Sequence, residues 1–373
     1  MPKVTVLMPV YNGDRFLREA IESILNQTFE EFEFLIINDG SIDNTREIIL
    51  SYDDPRIRLV DNNCNLGLIR SLNKGLELAE GQFIARQDAD DISEPERLAQ
   101  QVAFLETHPE VALVGTWYKE IDSQGKLIGE CKLPCDCTQI RWELLFYCTF
   151  AHPSVMLQKS TIIKQIGFYS KAALHTEDYE LWCRIARCFP VANLDKHLVR
   201  YRIHANSVTG IHGEKMGYGI SVTNVGNVLD WDTTDVANNE VLFNRMSVLL
   251  FGYQYGLKDI SLHELNNTIE NIFRLHKPFC QYYSLSQTDC RSHRTMLCNR
   301  ISNQLIQLAH SYFHQDNYAA WRLFVQAYRL HWPILFKKSY IRLALKLLVG
   351  SRLVRSIKYI RNQQVSQFGE ISK

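Results

Sequence analysis

The sequence carries no excess charge, no apolar run long enough to cross a bilayer and no paired cysteine motif. Lysine plus arginine (41) balance aspartate plus glutamate (41), which excludes the broad basic field that gathers nucleic acid. No stretch approaches the ~20 consecutive apolar residues of a membrane span. Met1-Pro2-Lys3 runs directly into Val4 to Val10, without the charged leader, apolar core and cleavage site of an export signal. The ten cysteines are scattered from Cys64 to Cys298, and in a chain read as unexported they predict reduced thiols in the cytoplasm. Cys131, Cys135, Cys137 and Cys148 lack the C-x2-C spacing of a zinc site. No G-x-x-x-x-G-K-[ST] phosphate loop, tandem repeat or low-complexity tract occurs.

What is present is a long chain with a large apolar share, 373 residues at 46% hydrophobic, which predicts two domains. The first part alternates apolar runs with helical periodicity, the pattern of a mostly parallel α/β sheet flanked by helices. Val4 to Val10 is apolar enough for a strand covered on both faces. Asp14 is read as an N-cap before Leu17, Ala20, Ile21, Ile24 and Leu25, which recur at helical spacing. Further strands are expected at Phe32 to Ile37, Arg56 to Val60, Phe83 to Ala85 and Val111 to Trp117. Helices are expected after Asp43, along Ile69, Leu72, Leu76 and Ala79, and over Glu96 to Thr107 behind Pro95. Strand signals fade near His212, so residues 1–212 are read as one α/β domain and 213–373 as a mainly helical region, with Leu305, Leu308 and Tyr312 on one helical face.

Three acidic sites stand out. Asp88, Asp90 and Asp91 follow a strand, where open α/β sheets bind ligands. Three carboxylates so close repel one another unless a cation offsets them; hard oxygen ligands of this kind suit Mg2+ or Mn2+ shared with substrate phosphates. A solvated acidic turn capping the next helix is the plain alternative. Asn38-Asp39-Gly40-Ser41-Ile42-Asp43 reads as a turn in which Ser41 or Asp43 caps a helix, leaving Asp39 as an acceptor at the same sheet edge. Pro9-Val10-Tyr11-Asn12-Gly13 ends the first strand there, and Tyr11 is suited to stacking on a base. Glu177-Asp178 begins a helix carrying Tyr179, Leu181, Trp182 and Ile185, a place where the helix dipole alone favours acids.

Pro9-Val10-Tyr11-Asn12, Asn38-Asp39-Gly40-Ser41, Asn65-Leu66-Gly67, Asp88-Ala89-Asp90-Asp91 and Glu177-Asp178 occur in an order that resembles glycosyltransferase family 2, the inverting bacterial-type enzymes of GT-A (Rossmann-like) fold. The segments Ile84 to Ser93, His152-Pro153-Ser154-Val155-Met156 and Tyr201-Arg202-Ile203-His204 are similar too, and the resemblance covers about residues 3 to 210. It implies transfer of a sugar from a nucleotide-sugar donor, with a UDP-sugar expected, to an acceptor hydroxyl on a glycan or glycolipid during surface polysaccharide assembly. Pro9, Tyr11, Asn12, Asn65 and Asp39 would surround the nucleoside, with Asp39 accepting from a uracil-like N–H. Asp88 would approach the ribose, and Asp90 would hold a divalent metal, Mn2+ or Mg2+, with His204 reaching it from the far side. Asp178 would be the catalytic base, with Glu177, His152 and Asp91 near the acceptor pocket; Arg70 is a looser match. The competing classes are a non-catalytic nucleotide-binding module, whose mark would be loss of the acids, and a metal-dependent nucleotidyltransferase, which would want a basic phosphate loop.

The C-terminus hides a local asymmetry. No acid occurs between Asp316 and Glu370, while Lys338, Arg342 and Lys346 repeat every four positions beside Ile341, Leu345 and Leu348. A helix with a basic face and an apolar face is expected to lie on an anionic membrane surface, unless the apolar stripe packs on the protein. The expected location is cytoplasmic, peripheral on the inner face of the cell membrane.

Overall fold

A computed structural model describes residues 1–204, 240–251, 261–313 and 316–349. The chain divides into two compact units, Met1–Asn227 and Val228–Lys373; the boundary expected near His212 lies outside the described residues.

In the first unit the expected alternation appears as β1 (Val4–Val10), α1 (Leu17–Leu25), β2 (Phe32–Asn38), α2 (Thr45–Leu50), β3 (Ile57–Asp61), α3 (Leu68–Leu78) and β4 (Phe83–Arg86). Then follow β5 (Ile92–Ser93), α4 (Arg97–Thr107), β6 (Leu113–Ile121), β7 (Leu127–Cys131), α5 (Cys137–Glu143), β8 (Met156–Gln158), α6 (Lys159–Thr161), α7 (Glu177–Cys188) and β9 (Val191–Arg202). The strands form one mixed sheet in the order β3-β2-β1-β4-β8-β6-β9-β5, with β7 on β6. The parallel part is β3-β2-β1-β4. Beyond it β8 runs antiparallel to both β4 and β6, while β6 and β9 pair in parallel.

β1 shows why its sequence is apolar throughout. Val4, Val6, Met8 and Val10 pack against α1 and α4 on one face of the sheet, and Leu7 packs against Leu72 and Leu76 of α3 on the other. Both faces are covered, so strand alternation does not show as polar alternation. Ile69, Leu72, Leu76 and Ala79 are all buried, as their spacing predicts. Asp14 does not cap α1: Phe16 holds the N-cap position without a side-chain bond, and the Asp14 amide instead donates to Asp43 Oδ2 at 3.1 Å. Asp43 also accepts from the Thr45 amide at 3.0 Å, securing the start of α2.

The second unit is helical over its described residues, with helices Glu240–Phe251, Leu262–Tyr282, Gln287–Tyr312, Asn317–Leu330 and Lys338–Val349. Ser261 and Glu264 form a capping box at the start of the second of these. Leu305 is buried, and Leu308 and Tyr312 are half-buried on the same helix. Among the described residues, no helix is long and apolar enough to cross a membrane. All ten cysteines are free.

Candidate active site

Because β1, β2, β3 and β4 run parallel, their carboxyl ends meet at one edge, with Val10 opposite Asn38 and Asn38 opposite Asp61. The loops leaving these ends surround a cavity of about 540 Å3. Pro9, Tyr11, Asn12, Asp39, Asn65, Asp88, Asp90 and His204 line it. Residues from five separated segments, each singled out in the sequence, therefore share one cleft.

The residues expected around a nucleoside are held by the loops themselves. Asn12, at φ 51°, accepts from the Ile42 amide through Oδ1 at 2.9 Å, and its own amide donates to Ser41 Oγ at 3.0 Å. Asp39 is not a lone acceptor. Its Oδ1 takes Asn62 Nδ2 at 2.7 Å and the Leu66 amide at 2.9 Å, and its Oδ2 takes the Gly67 amide at 2.9 Å. It ties the Asn65 loop to β2 and leaves little more than one lone-pair direction for a ligand. Gly40 sits at φ +70°, where a Cβ would lie 2.5 Å from the Cys64 carbonyl carbon, so this turn requires glycine.

The acidic cluster is resolved into three different environments. Asp88 is met by the buried Arg86, whose Nη2 lies 2.6 Å from Oδ1. Asp91 is turned into the core, where Oδ1 accepts from the Arg202 amide at 2.7 Å; it does not line the cavity, and burial pushes its carboxyl well above the usual range. Asp90 faces the cavity, with Oδ2 2.9 Å from His204 Nε2. Burial, then the charge of Asp88, raises its pKa, with the His204 contact opposing. The like-charge argument for a cation thus narrows to Asp90, since Arg86 offsets Asp88. Among the described residues no group of three or more His, Cys, Asp or Glu side chains is placed to hold a metal. Asp90 and His204 still suit a shared ion: Mg2+ and Mn2+ commonly take one or two protein ligands and complete their shell with substrate phosphates and water.

Asp178 sits in the first turn of α7 and keeps 23% of its side chain exposed. Its Oδ1 accepts from the Tyr179 amide at 2.7 Å, and its Oδ2 lies 4.0 Å from His152 Nδ1. His152 Nε2 is 3.1 Å from the Tyr169 hydroxyl, and Trp182 makes T-shaped contacts with both rings. Burial raises Asp178 to about 6, with the charge of Asp88 adding and the Tyr179 amide and Arg86 opposing. Asp178, Glu177 and His152 are not among the residues that line the cavity. Glu177 is pushed up to about 7 by burial and by Asp178. Burial, then Arg86, holds His152 well below its usual pKa, so it is neutral at pH 7.

Sequence reasoning assigned no role to Arg86, Arg97 or Tyr169. Arg97 is fully buried and donates to Gln87 Oε1, Ser93 Oγ and the carbonyls of Arg86 and Val155; burial brings its pKa down to about 9. A detectable signal existed: a cation at the end of the apolar run Phe83-Ile84-Ala85 must be paired if buried. Arg70 is exposed on α3 and lies outside the cavity lining.

Residues 5–167 match the glycosyl transferase family 2 model. An uncharacterized glycosyltransferase of Haemophilus influenzae is 34% identical over 225 residues, 57% of this chain and 69% of the relative. The O-antigen biosynthesis glycosyltransferase WbnJ of Escherichia coli is 34% identical, over 55% of this chain and 81% of the relative. Among solved structures, S. aureus TarS 1–349 in complex with UDP-GlcNAc superposes with a TM-score of 0.54 at 16% identity, covering 83% of this chain and 91% of that one; this likeness speaks for the fold. With a third of the aligned residues identical over most of such a relative's length, on a GT-A sheet, the chain belongs to glycosyltransferase family 2 and is a glycosyltransferase.

Proposed function

We propose that the enzyme moves a sugar with inversion from a UDP-sugar to an acceptor hydroxyl, and that residues 1–212 form its catalytic domain. The observation that carries this reading is the cleft at the carboxyl ends of the parallel strands, where Tyr11, Asn12, Asp39, Asp88, Asp90 and His204 come together; the base is Asp178, a half-buried carboxylate at the start of α7 that burial raises to about 6. A base is most effective when its pKa lies near the working pH. The acceptor oxygen loses its proton to Asp178 as it bonds to the anomeric carbon, while the bond from that carbon to the diphosphate breaks on the opposite side. The Tyr179 amide, donating to Oδ1 at 2.7 Å, sets the orientation of the carboxylate. Pro9, Tyr11, Asn12 and Asn65 enclose the nucleoside, and the remaining lone pair of Asp39 faces the base. Asp90 and His204 would hold Mn2+ or Mg2+, which when bound offsets the charge gathering on the leaving diphosphate.

Two named relatives support a polysaccharide or glycolipid acceptor, the O-antigen enzyme WbnJ and the amylovoran biosynthesis enzyme AmsE of Erwinia amylovora. An acceptor of that kind fits a cytoplasmic enzyme attached peripherally to the cell membrane. Profiling UDP-, GDP- and dTDP-sugars for transfer or hydrolysis tests the reading; UDP donors are expected to be used, and tighter binding of GDP than of UDP would reject the uridine preference.

A further inference from the structure

We infer that the Trp332–Phe336 turn and the outer side of the helix Lys338–Val349 form a surface that docks on an anionic lipid bilayer. The inference deepens the peripheral attachment proposed above and rests on that reading, but its residues are separate from the catalytic ones.

The helix Lys338–Val349 has two apolar stripes and uses only one for the fold. Tyr340, Leu343 and Leu347 are buried at 3%, 0% and 3% exposure. Ile341, Leu345 and Leu348 remain exposed at 46%, 57% and 72%. The sequence alone left open whether this second stripe packs on the protein; it does not pack on the described residues. The turn before the helix behaves likewise: Ile334 anchors it at 1%, while Trp332, Leu335 and Phe336 stand out at 62%, 39% and 76%. Single exposed apolar residues need no explanation, but a run of large ones along one element marks an interaction surface.

Charge identifies what covers it. At 100° per residue, the exposed apolar stripe lies between the buried stripe and the row Lys338, Arg342 and Lys346. Apolar side chains beside a basic row, with aromatic rings at one end, suit a helix lying in the headgroup region of an anionic membrane. A partner protein would ordinarily be met by charges of both signs, yet between Asp316 and Glu370 the chain offers no acid. Lys337 takes no part, since its ammonium donates to Asn299 Oδ1 at 2.9 Å and Asn303 Oδ1 at 2.8 Å. The further basic residues Arg352, Arg355, Lys358 and Arg361 lie outside the described residues.

The test is co-sedimentation of the full chain with equimolar phosphatidylglycerol–phosphatidylcholine vesicles and with pure phosphatidylcholine, at low and high salt. Three proteins are compared: wild type, Phe336→Asp with Leu345→Asp, and Lys338→Glu with Arg342→Glu and Lys346→Glu. Circular dichroism and thermal melting without vesicles report that each variant remains folded. Binding to the anionic vesicles at low salt is expected for wild type alone, each reversed charge weakening it about fivefold or more. If both variants bind like wild type, the membrane attachment stands and this surface is the wrong one. If wild type stays in the supernatant, both the surface and the attachment fall. A concentration-dependent dimer dissolved by the Phe336 and Leu345 changes would assign the face to a second copy and overturn the lipid assignment.

Discussion

Replacing Asp178 by Asn should cut turnover sharply and at the same time make the protein more stable, because the environment that tunes the base also penalises its charge. The carboxyl is raised from 3.8 to about 6 in the folded protein, mainly by burial. At pH 3 it is protonated in both folded and unfolded states and contributes nothing. As pH rises from about 4 to 6 the unfolded chain releases its proton and the folded one keeps it, so wild-type stability falls across that window and levels off above it. A rise of that size corresponds to roughly 3 kcal/mol, an upper figure since water still reaches the side chain. An amide does not titrate, so Asp178→Asn escapes this loss. Its advantage should open between pH 4 and 6 and reach its full size by pH 7. For a domain of this size that is about 2 to 4 °C in Tm for each kcal/mol. Turnover should drop by on the order of 10^2 to 10^4. Wild-type turnover should itself fall as pH is lowered through about 6. Denaturation of both proteins at pH 4 and pH 8, with initial rates of both at pH 8 and of wild type from pH 5 to 8, checks all three. A stability difference equal at both pH values, or a variant that turns over like wild type, would refute the reasoning.

Calorimetry of UDP with and without Mn2+ should show tighter binding with the metal in wild type and no metal effect in Asp90→Ala; equal affinities in all cases would remove Asp90 and His204 from any metal role. Gly40→Ala forces a Cβ to within 2.5 Å of the Cys64 backbone at a positive φ, so it should cost on the order of 1 to 3 kcal/mol and weaken UDP binding by displacing the Asn65 loop. Unchanged melting and affinity would contradict the geometry of that turn.

The parallel part of the sheet was legible because local signals agree with the fold there. β1 and β2 are apolar runs, and α1 and α3 carry their buried residues at helical spacing. Outside it the local signals are weak: β8 has three residues, and β9 passes through Asp195-Lys196-His197, where its pairing with β6 shifts register. Neither strand announces itself; the first half of the sheet is parallel as expected, and β8, β7 and β5 add the antiparallel pairings. At the site, sequence named the carboxylates but not their partners. Asp88 read as one of three repelling charges until Arg86 was seen beside it, and Asp39 read as a free acceptor because its donors Asn62, Leu66 and Gly67 lie 23 to 28 positions away. Pairing over such distances is a property of the folded chain. Asp14 failed as a cap for the same reason, its loop being organised by Asp43.

Arg202 has a consequence for how the donor is received. Its amide is held by Asp91 at 2.7 Å, and its guanidinium donates to the Asp90 carbonyl at 2.8 Å and the Asp122 carbonyl at 3.3 Å. One residue of β9 therefore fastens the acidic loop and sets His204, two positions on, against Asp90. If the proposed role of this pair is right, the wall is already assembled before a diphosphate arrives, and little binding free energy is spent on ordering it.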